Sequence, residues 1–266
     1  MLSFDHVYFY YKKEKPILED ISFTIQQGEF VSIVGPNGCG KSTIAKLIDG
    51  LLIPKKGNIQ VVNHDTKKPN DLMKIRQKVG FVFQNPEDQF ITTSVLDEVI
   101  FGLENIRVPR EEMYDRALSA LKIVDMNNYL DSMPHELSGG QKQRVAVAAI
   151  IAMKPEIIIF DEATSMLDPK GRTQILAIMH KLHNEGMTII HITHHMDEVL
   201  QADRLLLIAK GKICFDGEPE TFFNTVQVED YQLQQPFAIR LHQLSGQTVA
   251  LKADWKGAIR AQWSTN

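Results

Sequence analysis

The sequence has little of what disulfide-built, membrane-spanning or nucleic-acid-coating proteins require. It holds two cysteines in 266 residues, Cys39 and Cys214, which excludes a disulfide framework and fits a reducing cytosol. Long apolar runs are missing: the longest, Val145 to Met153, is far short of the roughly 20 residues that span a bilayer. Met1-Leu2-Ser3-Phe4-Asp5-His6 offers no basic stretch followed by an apolar core, so no signal peptide is expected. There is no surplus of positive charge either. The net charge of −4 and a pI near 6.1 argue against nucleic acid as the main partner. No internal repeat or low-complexity stretch stands out. What remains is ordinary globular composition, 44% hydrophobic and 23% charged, enough for one large domain or two smaller ones.

The informative stretch is Gly35-Pro36-Asn37-Gly38-Cys39-Gly40-Lys41-Ser42. It fits the phosphate-loop pattern G-x-x-x-x-G-K-[ST], in which glycines let successive backbone N–H groups turn inward on phosphate oxygens. Lys41 supplies a full positive charge for β- and γ-phosphates, and Ser42 offers a hydroxyl to Mg²⁺. The flanks agree. Phe30–Val34 reads as a buried strand, and Ser42 to Leu52, with Thr43 in its first turn, reads as a helix whose N-terminus favours anions.

Ahead of the loop, Val7–Tyr11 and Ile21–Ile25 read as short β-type runs. Tyr11 is a candidate to stack on a purine, with cover for a sheet edge as the competing reading. Beyond the loop, Gly57–Val62 and Val79–Phe83 read as strands, and Asp71–Lys78 as a short helix. Gln84 follows directly, then the polar turn Asn85–Phe90. Helical patterns run from Val95 to Met153, broken near Val108-Pro109 and Met133-Pro134, which suggests a subdomain of its own.

Leu137-Ser138-Gly139-Gly140-Gln141 opens the last of these helices, with Ser138 as N-cap. Read alone, the pentapeptide is either a plain cap or a second anion site. Ile157–Phe160 has the unbroken apolar character of a buried parallel strand and ends in Asp161-Glu162. Asp161 there suits Mg²⁺, and Glu162 suits a general base for water attacking a γ-phosphate. Thr188–Thr193 is a further buried strand, ending in His194-His195. Strand alternation puts His191 on the opposite face from His194, against a metal cluster and for a γ-phosphate contact by His194. A helix over 170–184 and a hairpin pairing 204–209 with 212–215 complete the pattern. The character changes near Glu218. Trp255 and Trp263 fall in the last stretch, where they would pack on a partner or on the chain itself.

Taken together, these motifs resemble the ATPase subunit of ATP-binding-cassette (ABC) transporters over about residues 2–217. Gly35–Ser42 matches the Walker A loop, Gln84 the Q-loop and Leu137–Gln141 the signature. Ile157–Asp161 matches Walker B, followed by Glu162, with Ser165–Asp168 as the D-loop and His194 as the switch histidine. The resemblance implies an α/β P-loop NTPase: a RecA-like core, an antiparallel β-subdomain, and a helical signature subdomain over about 85–155. It implies ATP and Mg²⁺ as ligands, with Gln84 reaching the metal beside Ser42 and Asp161. It also implies a shared site, the signature of one cassette completing the phosphate loop of another. Gln84–Gln89 and Phe160–Pro169 look like the energy-coupling-factor (ECF) branch, most like the first of its two ATPases. That implies a second, non-identical cassette, a transmembrane T subunit and substrate-binding S components. It further implies a place at the cytoplasmic face of the membrane, and dimer contacts by the extension 218–266. His195 departs from the Asp common at that position. A cobalt or nickel importer ATPase, a soluble ABC ATPase and a nucleotide binder without hydrolysis are the alternatives.

Overall fold

The computed structural model describes residues 1–13, 15–237 and 239–240. Trp255 and Trp263 therefore lie outside the described residues. The chain begins with two eleven-residue strands, β1 (Leu2–Lys12) and β2 (Lys15–Ile25). They are longer than the short runs their sequence suggests. Register shifts along the β1–β2 pairing, with His6 and Asp20 at positive φ, interrupt the alternation that a longer strand would otherwise show. With β4 (Lys56–Val61) and β5 (His64–Asp65) they form a four-stranded antiparallel sheet, in the order β2-β1-β4-β5.

The second sheet carries the chemistry. β3 (Phe30–Val34), β6 (Val79–Val82), β7 (Ile157–Asp161), β8 (Thr188–Ile192), β9 (Arg204–Ala209) and β10 (Lys212–Gly217) lie in the order β10-β9-β3-β8-β7-β6. All neighbours are parallel except β9 and β10, the expected hairpin. Every residue of β3, β6, β7 and β8 is buried, as parallel strands covered on both faces require. Because β8 sits between β3 and β7 and all three are parallel, the segments leaving them emerge side by side at the carboxyl ends of the strands. That end is where open α/β sheets bind ligands.

The helix after the phosphate loop, α1 (Lys41–Ile48), stops earlier than its apolar pattern suggests. Asp49 is its C-cap, and Gly50 follows at φ 68°. α2 (Pro69–Lys78) precedes β6. Three helices then form the predicted block, α3 (Val95–Asn105), α4 (Arg110–Ile123) and α5 (Gly139–Ala152), broken near both prolines. Val99, Leu103, Leu121, Val145 and Ala148 pack there in one cluster that continues into Phe160, Ile158 and Phe30 of the central sheet. α6 (Pro169–Asn184) covers the sheet behind β7 and β8. α7 (Pro219–Thr225) and the segment after it pack Phe222, Phe223, Val228, Leu233 and Ile239 against Val34, Leu205 and Leu207.

Candidate nucleotide site

The phosphate loop takes its shape from glycine. Gly35 has φ 147°, and a Cβ there would stand 2.0 Å from the Ile208 carbonyl oxygen. Gly40 has φ 110°, and a Cβ there would strike Leu18 at 2.6 Å. Neither position accepts a side chain, so the backbone is free to curl against whatever the loop holds. Lys41 Nζ donates to the carbonyls of Gly35 (2.8 Å) and Pro36 (3.0 Å), which fixes its charge at the loop. The Cys39 thiol is buried in the apolar cluster that lies between the two sheets, and that burial pushes its pKa up, with Lys41 opposing.

Lys41, Ser42, Thr43, Asn37, Gly38, Gly40, Tyr11 and Glu162 line one cleft of ≈ 290 Å³. Tyr11 belongs to it: 58% exposed on β1, its Oη lies 3.5 Å from Thr43 Oγ1, and its ring meets Phe9 edge-on. Ser42 Oγ donates to Asp161 Oδ1 at 3.0 Å, which joins the start of α1 to the end of β7. Burial pushes the Asp161 carboxyl up; the Ser42 hydrogen bond opposes this, and the neighbouring Glu162 charge adds to it. Glu162 adopts φ 51°, a left-handed conformation that is strained for glutamate, with its N–H held by the Ile192 carbonyl at 2.9 Å. Its carboxylate Oε2 lies 3.6 Å from His194 Nδ1. His194 is half-buried, whereas His191 is fully buried, against Glu198.

His194 also borders a second cavity of ≈ 390 Å³ with Gly35, Pro36, Asn37 and the C-terminal residues Gln232–Gln235 and Arg240. That contact is not legible along the chain, because nothing in a polar Gln-rich stretch marks it as neighbouring a phosphate loop. Gln84 does not line the Lys41 cleft. Its Nε2 donates to Ser165 Oγ at 3.1 Å, which connects the turn after β6 to the turn after β7.

Ser138, Gly139, Gly140 and Gln141 lie elsewhere. Ser138 and Gln141 cap α5 reciprocally: Ser138 N–H donates to Gln141 Oε1 at 2.8 Å, and Gln141 N–H to Ser138 Oγ at 3.4 Å. These four residues line a separate cleft of ≈ 470 Å³ with Met166, Asp168 and Lys170. Gly140 and Gly171 touch there, each within 3.6 Å of the place where the other's Cβ would stand, so the starts of α5 and α6 pass at close range. Thus the starts of α1 and α5 open on two separate clefts.

A phosphate loop, a hydroxyl–carboxylate pair and a second carboxylate converging at the carboxyl ends of parallel strands define a nucleoside-triphosphate-binding protein of the P-loop class. The ABC transporter family model matches residues 18–165. The energy-coupling factor transporter ATP-binding protein EcfA1 of Fusobacterium nucleatum is 44% identical over 91% of this chain and 89% of its own length. The protein of the same name from Bacillus subtilis is 45% identical over 92% and 88%. Among solved structures, cbiO1 of Clostridium perfringens, part of the ABC transporter complex cbiONQ, superposes with a TM-score of 0.80. It is 33% identical and covers 92% of this chain and 98% of cbiO1. The ATP-binding cassette MJ0796, solved as a dimer with ADP and Pi, gives a TM-score of 0.74 at 32% identity over 82% and 99%. The chain belongs to the ABC transporter family, as an ATP-binding, ATP-hydrolysing subunit of the energy-coupling-factor type.

Proposed function

We infer that the chain powers an importer of vitamins or similar micronutrients, working with a second, non-identical cassette. A transmembrane T subunit and substrate-binding S components complete the assembly, and the chain sits at the cytoplasmic face of the membrane as a peripheral subunit. Residues 2–217 form the cassette, with its helical subdomain over about 85–155, and 218–266 is an extension for dimer contacts. One observation carries the chemical part: Lys41, Ser42 and Glu162 line a single cleft, with Tyr11 at its rim.

The roles follow from position. Tyr11 stacks on the base, and the amides of residues 35–43 with Lys41 hold the phosphates. The oxygens of Ser42 and Asp161, already in contact, suit Mg²⁺, with Gln84 completing that side. Bound there, Mg²⁺ would neutralise charge on the β- and γ-phosphate oxygens. Glu162 draws the proton from the attacking water, and His194 beside it orients the γ-phosphate. Ser138–Gln141, in their own cleft, complete the phosphate loop of the other cassette.

The isolated chain should therefore turn over ATP slowly, and the second cassette should activate it. A missing set of preorganised donors costs about 10²–10³ in rate. Ser138→Arg should impair turnover at the partner's loop and spare ATP binding at Lys41. Equal rates per site for the lone chain and the assembled complex would refute the shared site. A second reading is a cobalt or nickel importer ATPase. The membrane subunits recovered with the chain from native membranes separate the two.

A further inference from the structure

Behind the nucleotide site lies a buried polar cluster that neither the sequence motifs nor the roles above use. Its centre is Glu198, whose side chain is 2% exposed. The residue belongs to a short 3₁₀ turn that follows the two histidines after β8. Thr164 Oγ1 donates to Glu198 Oε1 at 2.9 Å and lies 3.0 Å from Oε2. Thr193 Oγ1 donates to Oε2 at 2.7 Å. His191 Nε2 stands 3.3 Å from Oε2, and Arg172 Nε of α6 stands 3.5 Å from Oε1. The carboxyl is held well below the usual range. Burial pushes it up, but His191 and the two hydroxyls outweigh that.

The positions of the two threonines give the cluster its meaning. Thr164 is two residues beyond Glu162, and Thr193 is the residue before His194. One carboxylate thus grips both segments that carry the closest carboxylate–imidazole pair of the nucleotide site. Thr193 Oγ1 also accepts from the His195 N–H at 3.0 Å, and Arg172 Nη2 meets His195 Nε2 at 3.2 Å. The His195 pKa is lowered by burial and then by Arg172, which favours the neutral ring beside the guanidinium. A buried charged group of this kind is a weak source of stability, since well-packed apolar residues do as well. It is a strong source of geometry.

We propose that Glu198 is a positioning residue for hydrolysis, acting through Thr164 and Thr193 to hold Glu162 and His194 in register. The inference rests on the reading of Glu162 as general base. Displacing a reacting group by about 1 Å costs up to about 10²-fold in rate, while ATP binding rests on the phosphate loop, which the cluster does not touch.

The test uses the full chain in the complex assembled with its second cassette. Glu198→Ala risks misfolding, so the paired variant Thr164→Val, Thr193→Val is measured, near-isosteric but without the hydroxyls. Its kcat should fall by about 10²-fold with KM for ATP within about twofold. The pair Thr164→Ser, Thr193→Ser keeps both hydroxyls and should recover most of the lost turnover. A folded valine pair with wild-type kcat would overturn the proposal. So would a serine pair as slow as the valine pair, or a loss of ATP binding in step with kcat. Glu162→Gln, run alongside, separates the two levels. If it retains turnover, the reading of Glu162 fails and this inference with it. If it is inactive while the valine pair is fully active, only the positioning role falls.

Discussion

Asp49 offers a sharp physical test, because an ionisable group is buried there without a full partner. It is the C-cap of α1, the helix that leaves the phosphate loop, and is 8% exposed. A carboxylate at a helix C-terminus faces the negative end of the dipole. Arg76 helps only partly, its Nη2 being engaged with the Gly50 carbonyl at 3.3 Å. Burial therefore pushes the Asp49 carboxyl from its ordinary 3.8 to about 7, with Arg76 opposing. A displacement of that size corresponds to about 4 kcal/mol of stability. The sign is fixed by which state keeps the proton. Below about pH 4 both folded and unfolded chains are protonated at Asp49, and nothing is lost. Between pH 4 and 7 the unfolded chain ionises while the folded one does not, so stability falls as pH rises, and the penalty is complete above 7. Asp49→Asn removes the titration. Urea unfolding should show little difference between variant and wild type at pH 4. At pH 8 the variant should be more stable, by up to about 4 kcal/mol. Carboxyl ¹³C NMR reports the same group directly. A stability difference that is flat from pH 4 to 8, or an Asp49 carboxyl titrating near 4, would refute the reasoning.

Three further outcomes are expected. Lys41→Ala should abolish ATP binding, because it removes the ammonium held at the loop by Gly35 and Pro36; calorimetry showing unchanged affinity would overturn that role. Cys39 should alkylate slowly with or without Mg-ATP, since burial raises its pKa and its thiol packs in the core; reaction as fast as that of exposed Cys214 would contradict the placement. Lys142 of α5 pairs with Glu87 of the turn after Gln84, so Lys142→Glu should slow turnover of the complex. The swap Lys142→Glu, Glu87→Lys should restore part of it, and no recovery would mean that the pair does not link the two segments.

What the sequence made legible was whatever chemistry ties to a local string. The phosphate loop, the two carboxylates after an apolar run, the paired histidines and the capped helix start all sit where their patterns put them, because each depends on neighbours along the chain. The antiparallel strands are longer than their alternation shows, since register shifts beside His6 and Asp20 break the pattern that marks a strand. The Glu198 cluster was invisible. Its members come from four segments, and a Thr, an Arg and a Glu spaced along a sequence carry no periodicity. Cys39 shows the limit of a local pattern: it stands inside the loop motif, yet its side chain packs into the apolar core.

The seat of the C-terminal segment has a consequence for anyone shortening this chain. Val34, the last residue of β3 before the loop, shares a cluster with Phe222, Phe223, Leu233 and Ile239. A cut after β10 would strip those rings away and leave an apolar scar directly behind the phosphate loop. Such a scar invites self-association, and it loosens the one strand that aims Gly35 and Lys41. The smallest well-behaved piece of this protein is therefore larger than its set of motifs, because part of what keeps the nucleotide cleft rigid is contributed after the last motif has ended.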